Sequence, residues 1–308
     1  MSFLRSTVTT LSMKTLILLF SLIFGLTACI KNNPDPSWIQ VNEWQLTVNP
    51  NSQNPTGVLT ENITDAWVFI DNEIVGVFEV PFKVPVLYEG SSNILIYPAI
   101  RNNGISATKK IYPFLEPYEL NTNLVKNEIL IIDPTTQYYD QVDFWIEDFE
   151  DATVDIVDGP TSLVSLERTN DITALDNTIN EGFYGRVTLD QTNSTWIGST
   201  VANNNGSIVM NLPKGQEVYL EIDYHNTNSL LTGVLAINSL GGATDNPNIQ
   251  LNPQSESEVY WKKIYIDLRE IVSGSVSADY FEFSFQSLLD EGETSGVVNI
   301  DNIKAVYF

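Results

Sequence analysis

The sequence predicts an all-β chain: a small N-terminal β-sandwich-like domain followed by a C-terminal β-sandwich or jelly roll. Three observations carry that expectation. Short runs of alternating apolar and polar residues recur, separated by turns rich in Asn, Gly, Ser and Asp. Helical periodicity is absent over any useful length, and only residues 269–272 could make a helical turn. Thr, Val, Ile and Tyr are frequent and Lys is scarce, which is the composition of strands.

Residues 1–28 stand apart from this pattern. Arg5 and Lys14 are their only charged side chains, and the apolar run at 15–26 (TLILLFSLIFGL) follows at once, with Met13-Lys14 reading as the true start. That run has the length of a signal h-region and is short for a bilayer span. Small residues Thr27 and Ala28 then lead to Cys29, the one cysteine. Transfer of a diacylglycerol needs a thiol, and cleavage before it needs small side chains. Leu26-Thr27-Ala28-Cys29 resembles the lipobox of a bacterial type II signal peptide. The resemblance implies a lipid on Cys29 (palmitate among its acyl chains) and a lipid-anchored place on the outer membrane, on either its periplasmic or its cell-surface face. Surface-exported lipoproteins of the Bacteroidetes carry acids just after the acylated cysteine. Here Lys31-Asn32-Asn33 stand instead, with Asp35 the only acid. No second cysteine exists, so no disulfide forms within the chain.

Residues 29–37, polar and with two prolines, read as a tether, and residues 38–133 as the small β-domain. Its clearest element is a hairpin: 66–70 (AWVFI) and 74–80, joined by Asp71-Asn72-Glu73, residues that tolerate left-handed backbone. Pro81 and Pro85 stop regular pairing, and Asn102-Asn103-Gly104 marks another turn. The V-F-I-D-N strand and the later N-I-L-I-Y-P run make residues 64–115 resemble PEGA-type surface β-domains, which are small and non-catalytic. Residues 134–143 read as a linker, with Tyr138 and Tyr139 packing between the domains.

From residue 144 the charge changes. Residues 29–143 hold six basic and fourteen acidic side chains; residues 144–308 hold seven and twenty-five. Expected strands lie at 184–189, 207–210, 218–224, 233–238, 260–268 and 280–285, between an opening F-W-I-E-D-F-E-D and a closing I-D-N-I-K. With the W-K-K-I-Y-I-D-L strand, these segments look like the jelly-roll carbohydrate-binding-module superfamily, over about 160 residues. That resemblance implies a structural calcium between the first and last strands, with Glu150 and Asp301 matching by position and Glu147 and Asp148 beside them. Crowded carboxylates are also what a hard cation recruits. Without an ion they form a solvated acidic edge.

Tyr184, Trp196, Tyr224, Tyr260 and Trp261 are candidates for a sugar-stacking face, with Trp196, Tyr224 and Trp261 foremost. If Tyr260 and Trp261 share a strand, alternation allows only one of them on an exposed platform. His225 is the sole histidine and reads as a turn residue. No G-x-S-x-G elbow, zinc set or phosphate loop accompanies it. A net charge of −24 makes nucleic acid and anionic headgroups poor partners. The leading expectation is a non-catalytic envelope lipoprotein acting in adhesion, or as a scaffold or binding subunit that meets a glycan or an envelope protein. The alternative is a glycan-binding accessory lipoprotein of a polysaccharide-uptake system, and a two-carboxylate glycoside hydrolase stands third.

Overall fold

The structure is a computed structural model that describes residues 34–176, 178–201 and 210–308. Cys29 and its signal segment lie outside the described residues, as do residues 207–209 of the expected strand at 207–210. The regular structure of the described chain is nearly all strand, with one short helix, α1 (Arg269–Gly274), where the sequence allowed a helical turn.

The N-terminal half holds β1 (Ser37–Val41), β2 (Gln45–Leu46), β3 (Asp65–Ile70), β4 (Glu73–Glu79), β5 (Phe82–Val86), β6 (Gly90–Arg101), β7 (Lys109–Ile111), β8 (Tyr118–Leu124), β9 (Ile129–Ile132) and β10 (Thr135–Thr136). One layer runs β4-β3-β6, and β6 is long enough to pair β8 along its first half and β7 at its end. The other layer is β5-β1-β9, with β9 parallel to β1, beside the short pair β10-β2. Alternation turns Ala66, Val68 and Ile70 of β3, and Ile94 and Ile96 of β6, onto Ile39, Val41 and Ile132. The expected hairpin forms with Ile70 opposite Glu73. Its turn is Asp71-Asn72, at φ 51° and 69°, the backbone that a two-residue hairpin needs.

The C-terminal half holds β11 (Asp143–Glu147), β12 (Ile156–Asp158), β13 (Glu167–Thr169), β14 (Tyr184–Asp190), β15 (Thr195–Thr200), β16 (Val218–Asn226), β17 (Leu230–Ile237), β18 (Ala243–Leu251), β19 (Lys262–Asp267), β20 (Tyr280–Leu288) and β21 (Ser295–Tyr307). One sheet runs β13-β14-β21-β16-β19 and the other β12-β15-β20-β17-β18, with β11 also on β21. Chain order passes back and forth between them, so β14-β21-β16-β19 faces β15-β20-β17-β18 in the two interleaved Greek keys of a jelly roll. Inward residues such as Val187, Leu220, Ile222, Ile300, Phe283 and Phe285 fill the space between the sheets.

The two halves share more than a linker. Tyr219, Tyr265 and Val306, on the outer face of the jelly-roll sheet, belong to the apolar core of the N-terminal half. Around them lies a buried ionic network. Lys263 pairs with Glu221 at 2.8 Å, both side chains being almost wholly buried. Glu221 also accepts hydrogen bonds from the hydroxyls of Tyr112 (2.5 Å) and Tyr138 (2.9 Å) of the N-terminal half. Lys304 donates to the carbonyls of Thr56 and Val58. Burial alone would raise the Glu221 carboxyl, but Lys263 and Lys304 hold it below its ordinary value. Burial pushes Lys304 down to about 8, helped by the Lys263 charge.

Candidate functional site

A cleft of about 470 Å³ lies where the two halves meet, against the β16–β19 edge of the jelly roll. Its N-terminal wall is Glu61, Asn62 and Thr64 ahead of β3, together with Arg101 and Gly104. The turn at 102–104 is docked rather than free. Asn103 N–H donates to the Tyr265 carbonyl (2.9 Å), and the Asn103 side chain accepts from Asp267 N–H (2.8 Å). Gly104, at φ 70°, is required there, because a Cβ would come within 3.2 Å of Ile264 in a backbone state that disfavours any side chain. Asn62 completes the junction, its N–H donating to the Tyr265 hydroxyl and its amide to the Lys263 carbonyl.

Tyr224, Tyr260 and Trp261 form the opposite wall with Lys262. Tyr260 is 60% exposed, with Lys262 Nζ 4.8 Å from its ring centroid. Trp261 is half-buried and held rigidly: Nε1–H donates to the Ala174 carbonyl (2.6 Å), and its ring meets Tyr184 edge-on and the His225 ring, each at 5.7 Å. Deeper in, Thr60 donates to Asp223 (2.5 Å), and Lys263 Nζ donates to the Thr60 hydroxyl (3.0 Å). Burial raises the carboxyls of both Asp223 and Glu61, although Lys263 opposes it at each.

Of the aromatics expected on a stacking face, the fold brings Tyr224, Tyr260 and Trp261 together. The restriction on Tyr260 and Trp261 falls away because both precede β19, which starts at Lys262, so strand alternation does not separate them. Tyr184 is buried behind Trp261. Trp196 corrects the expectation outright: it is 0% exposed, stacked on Phe285 inside the jelly roll, and its Nε1–H is satisfied by Asp158 (2.8 Å). The sandwich core needs large apolar rings, and β15 supplies one here. His225 is half-buried mid-sheet on β16, bonded to Asn299 (3.1 Å) and not in a turn; burial lowers its pKa. Asn62, Arg101 and Lys262 were not foreseen. No local pattern marks them, since residues more than 150 positions apart form the cleft.

The four carboxylates expected to gather a calcium do not converge. Both oxygens of Glu147 accept backbone N–H groups, from Phe149 and from Asp155. Glu150 accepts from Phe183 N–H (2.7 Å), and Asp148 from Glu150 N–H (3.2 Å). Phe149, at φ 58°, turns the chain sharply between them. Arg168 fills the neighbourhood with its own charge, donating to the carbonyls of Phe149 and Glu150. Asp301 is 1% exposed and accepts from the Asn180 amide and from Asn302 N–H. Its carboxyl is pushed up to about 8, chiefly by burial. Among the described residues no three Asp, Glu, His or Cys side chains are placed to hold an ion, so the residues do not fit the calcium that the resemblance implies.

No protein-family profile matches the sequence, and no curated protein matches it. Solved structures similar to it include the enzymatically active domain of tailspike protein 4 of bacteriophage CBA120, at 13% identity and a TM-score of 0.35 over 52% of this chain; the match spans only 20% of the tailspike chain. A xylan-binding domain from CBM 22 aligns at 10% identity and a TM-score of 0.34, over 53% of this chain and 93% of that one. The family 11 carbohydrate-binding module of Clostridium thermocellum Lic26A-Cel5E aligns at 16% identity and a TM-score of 0.34, over 54% and 95%. Likeness this remote decides nothing about a site, and the architecture stands on the strand pairings themselves.

Proposed function

We propose that this chain is a non-catalytic carbohydrate-binding protein whose ligand lies in the cleft between its halves. One observation carries the reading: Tyr260 and Trp261 stand side by side at the mouth of a cleft whose other wall offers Asn62, Thr64 and Arg101. Flat aromatic faces accept the C–H side of a pyranose, and amide, hydroxyl and guanidinium groups bond its hydroxyls. The Trp261 ring is held before any ligand arrives, which lowers the ordering cost of binding. Of the cleft's carboxylates, Glu61 accepts from Ile63 N–H and Asp223 Oδ2 accepts from Thr60, while Asp223 Oδ1 lies 3.9 Å from Lys263 Nζ with no hydrogen-bond donor. The same reading places the protein on the outer membrane through a lipid on Cys29, in adhesion or as the glycan-holding part of an uptake system. A glycan array with the full chain, followed by titration calorimetry on any hit, tests it. Trp261→Ala should weaken binding by about 2 kcal/mol or more, as central aromatic anchors do. Unchanged affinity in that variant rejects the cleft.

A further inference from the structure

The outer face of the β5-β1-β9 layer is unlike the rest of this acidic surface. Side chains inward from β1 and β9, Ile39, Val41 and Ile132, belong to the core. Those pointing outward are also apolar. Ile129 and Ile131 of β9 are 47% and 58% exposed, and Leu87, just past β5, is 71% exposed. Pairing sets Trp38 of β1 between Ile129 on one side and Pro85 on the other. The polar exceptions on these strands are Gln40 and Lys83, and Lys83 Nζ lies 5.1 Å from the Trp38 ring centroid. Scattered exposed apolar residues are ordinary, but a contiguous patch on a sheet face marks a surface that something covers.

The start of the described chain indicates what covers it. Ser37, the first residue of β1, stands eight positions after Cys29, with seven residues between them. Fully extended, that stretch reaches at most about 29 Å. A lipid on Cys29 therefore keeps the start of β1 within that distance of the bilayer. The side chains suit that depth: a tryptophan at the headgroup level, isoleucines and a leucine toward the acyl chains, and a lysine whose ammonium lies over the tryptophan ring, within reach of the headgroups. We propose that the outward face of β5-β1-β9 seats on the membrane surface, so that the lipid and the patch together fix the protein's orientation. The inference rests on acylation of Cys29. Two weak attachments suffice where one does not, because a single acyl chain alone gives only marginal, reversible binding and a second contact makes it stable. Zwitterionic headgroups are the fitting partner, since the remaining charge of the chain is strongly negative.

The test uses the full chain, purified with its lipid and placed in phosphatidylcholine vesicles whose acyl chains carry bromine, a contact quencher of tryptophan. Trp38 is one of six tryptophans, so its signal is the difference between wild type and Trp38→Phe. Quenching of that difference by at least twofold is expected. In Ile131→Asp the quenching should largely disappear, with circular dichroism and acylation unchanged. An unquenched Trp38 on a chain that mass spectrometry shows to be acylated overturns the proposal while leaving the tether intact. Absence of an acyl group on Cys29 removes the tether, and the proposal with it. A dimer in detergent that Ile131→Asp dissolves would assign the face to a second copy of the chain instead, and would overturn the membrane reading.

Discussion

β16 and β21 have two buried faces of opposite chemistry. Toward the jelly-roll interior they carry Leu220, Ile222, Ile300 and Ala305; toward the N-terminal half they carry Glu221, Asp223, Asp301 and Lys304. Both faces are shut off from water, yet one is an apolar core and the other a web of charges with tyrosine hydroxyls. The interior face gains from burial in proportion to area and tolerates repacking. In the polar face, burial costs each charge its hydration, which is recovered only if every partner is in place. The difference teaches that the jelly roll is held together by area, whereas the N-terminal half is positioned on it by pairing. That positioning matters to function, because the cleft exists only at the junction.

The sharpest way to break the comparison is to remove one charge. Lys263→Met leaves Glu221 buried without its cation and should cost about 3–5 kcal/mol in urea unfolding, comparable with Phe283→Ala on the interior face. Glu221→Met combined with Lys263→Met should recover much of that loss, because an apolar pair needs no partners. The cleft should nonetheless bind more weakly in the double variant, since its walls lose the contact that sets them. If the double variant is as unstable as the single, the network contributes stability rather than position.

pH offers a gentler probe. Asp301 has a folded-state pKa raised from 3.8 to about 8, so the folded chain holds a proton there that the unfolded chain releases. Stability from this group is full below about pH 4 and is lost as pH rises toward 8. Lys304 works in the other direction. Its value is lowered from 10.5 to about 8, so the unfolded chain binds the extra proton between those limits and stability climbs again above 8. A minimum near pH 8 is expected in the thermal midpoint, and Asp301→Asn should flatten the fall on its acid side. Chelators should leave the midpoint at pH 8 unchanged. A drop that calcium restores would mean that the acids do gather an ion.

The smallest effect on stability is expected where function is greatest. Tyr260→Ala removes an exposed ring and should move stability by no more than about 0.5 kcal/mol, while weakening glycan affinity roughly tenfold, about 1.4 kcal/mol. A large loss of stability instead would make Tyr260 part of the scaffold.

Much of the architecture was legible because it rests on local rules. Alternation exposed β14, β16 and β20, and Asp71-Asn72 announced its hairpin by the backbone those residues tolerate. The edge strand β18 was not foreseen: Asp245, Asn246 and Pro247 are residue types depleted in strands, and an edge position accommodates them. Nor was the site. Lys263 and Lys304 look in sequence like the solvent side of a strand, and only a second sandwich laid over them buries them. The acids at 147–151 and 301 were rightly read as lying at neighbouring strands, as the pairing of Glu147 with Ile303 shows. What could not be read was the competition for them, in which backbone amides claim the oxygens of Glu147 and Glu150.

β21 pairs with β14, β16 and β11, all made long before it. Until its residues are available, β14 and β16 stand without their common neighbour, and the jelly roll cannot close. Pairings at such separation along the chain form slowly. Like charges then have a second use: copies of the chain whose sheet is not yet closed repel one another.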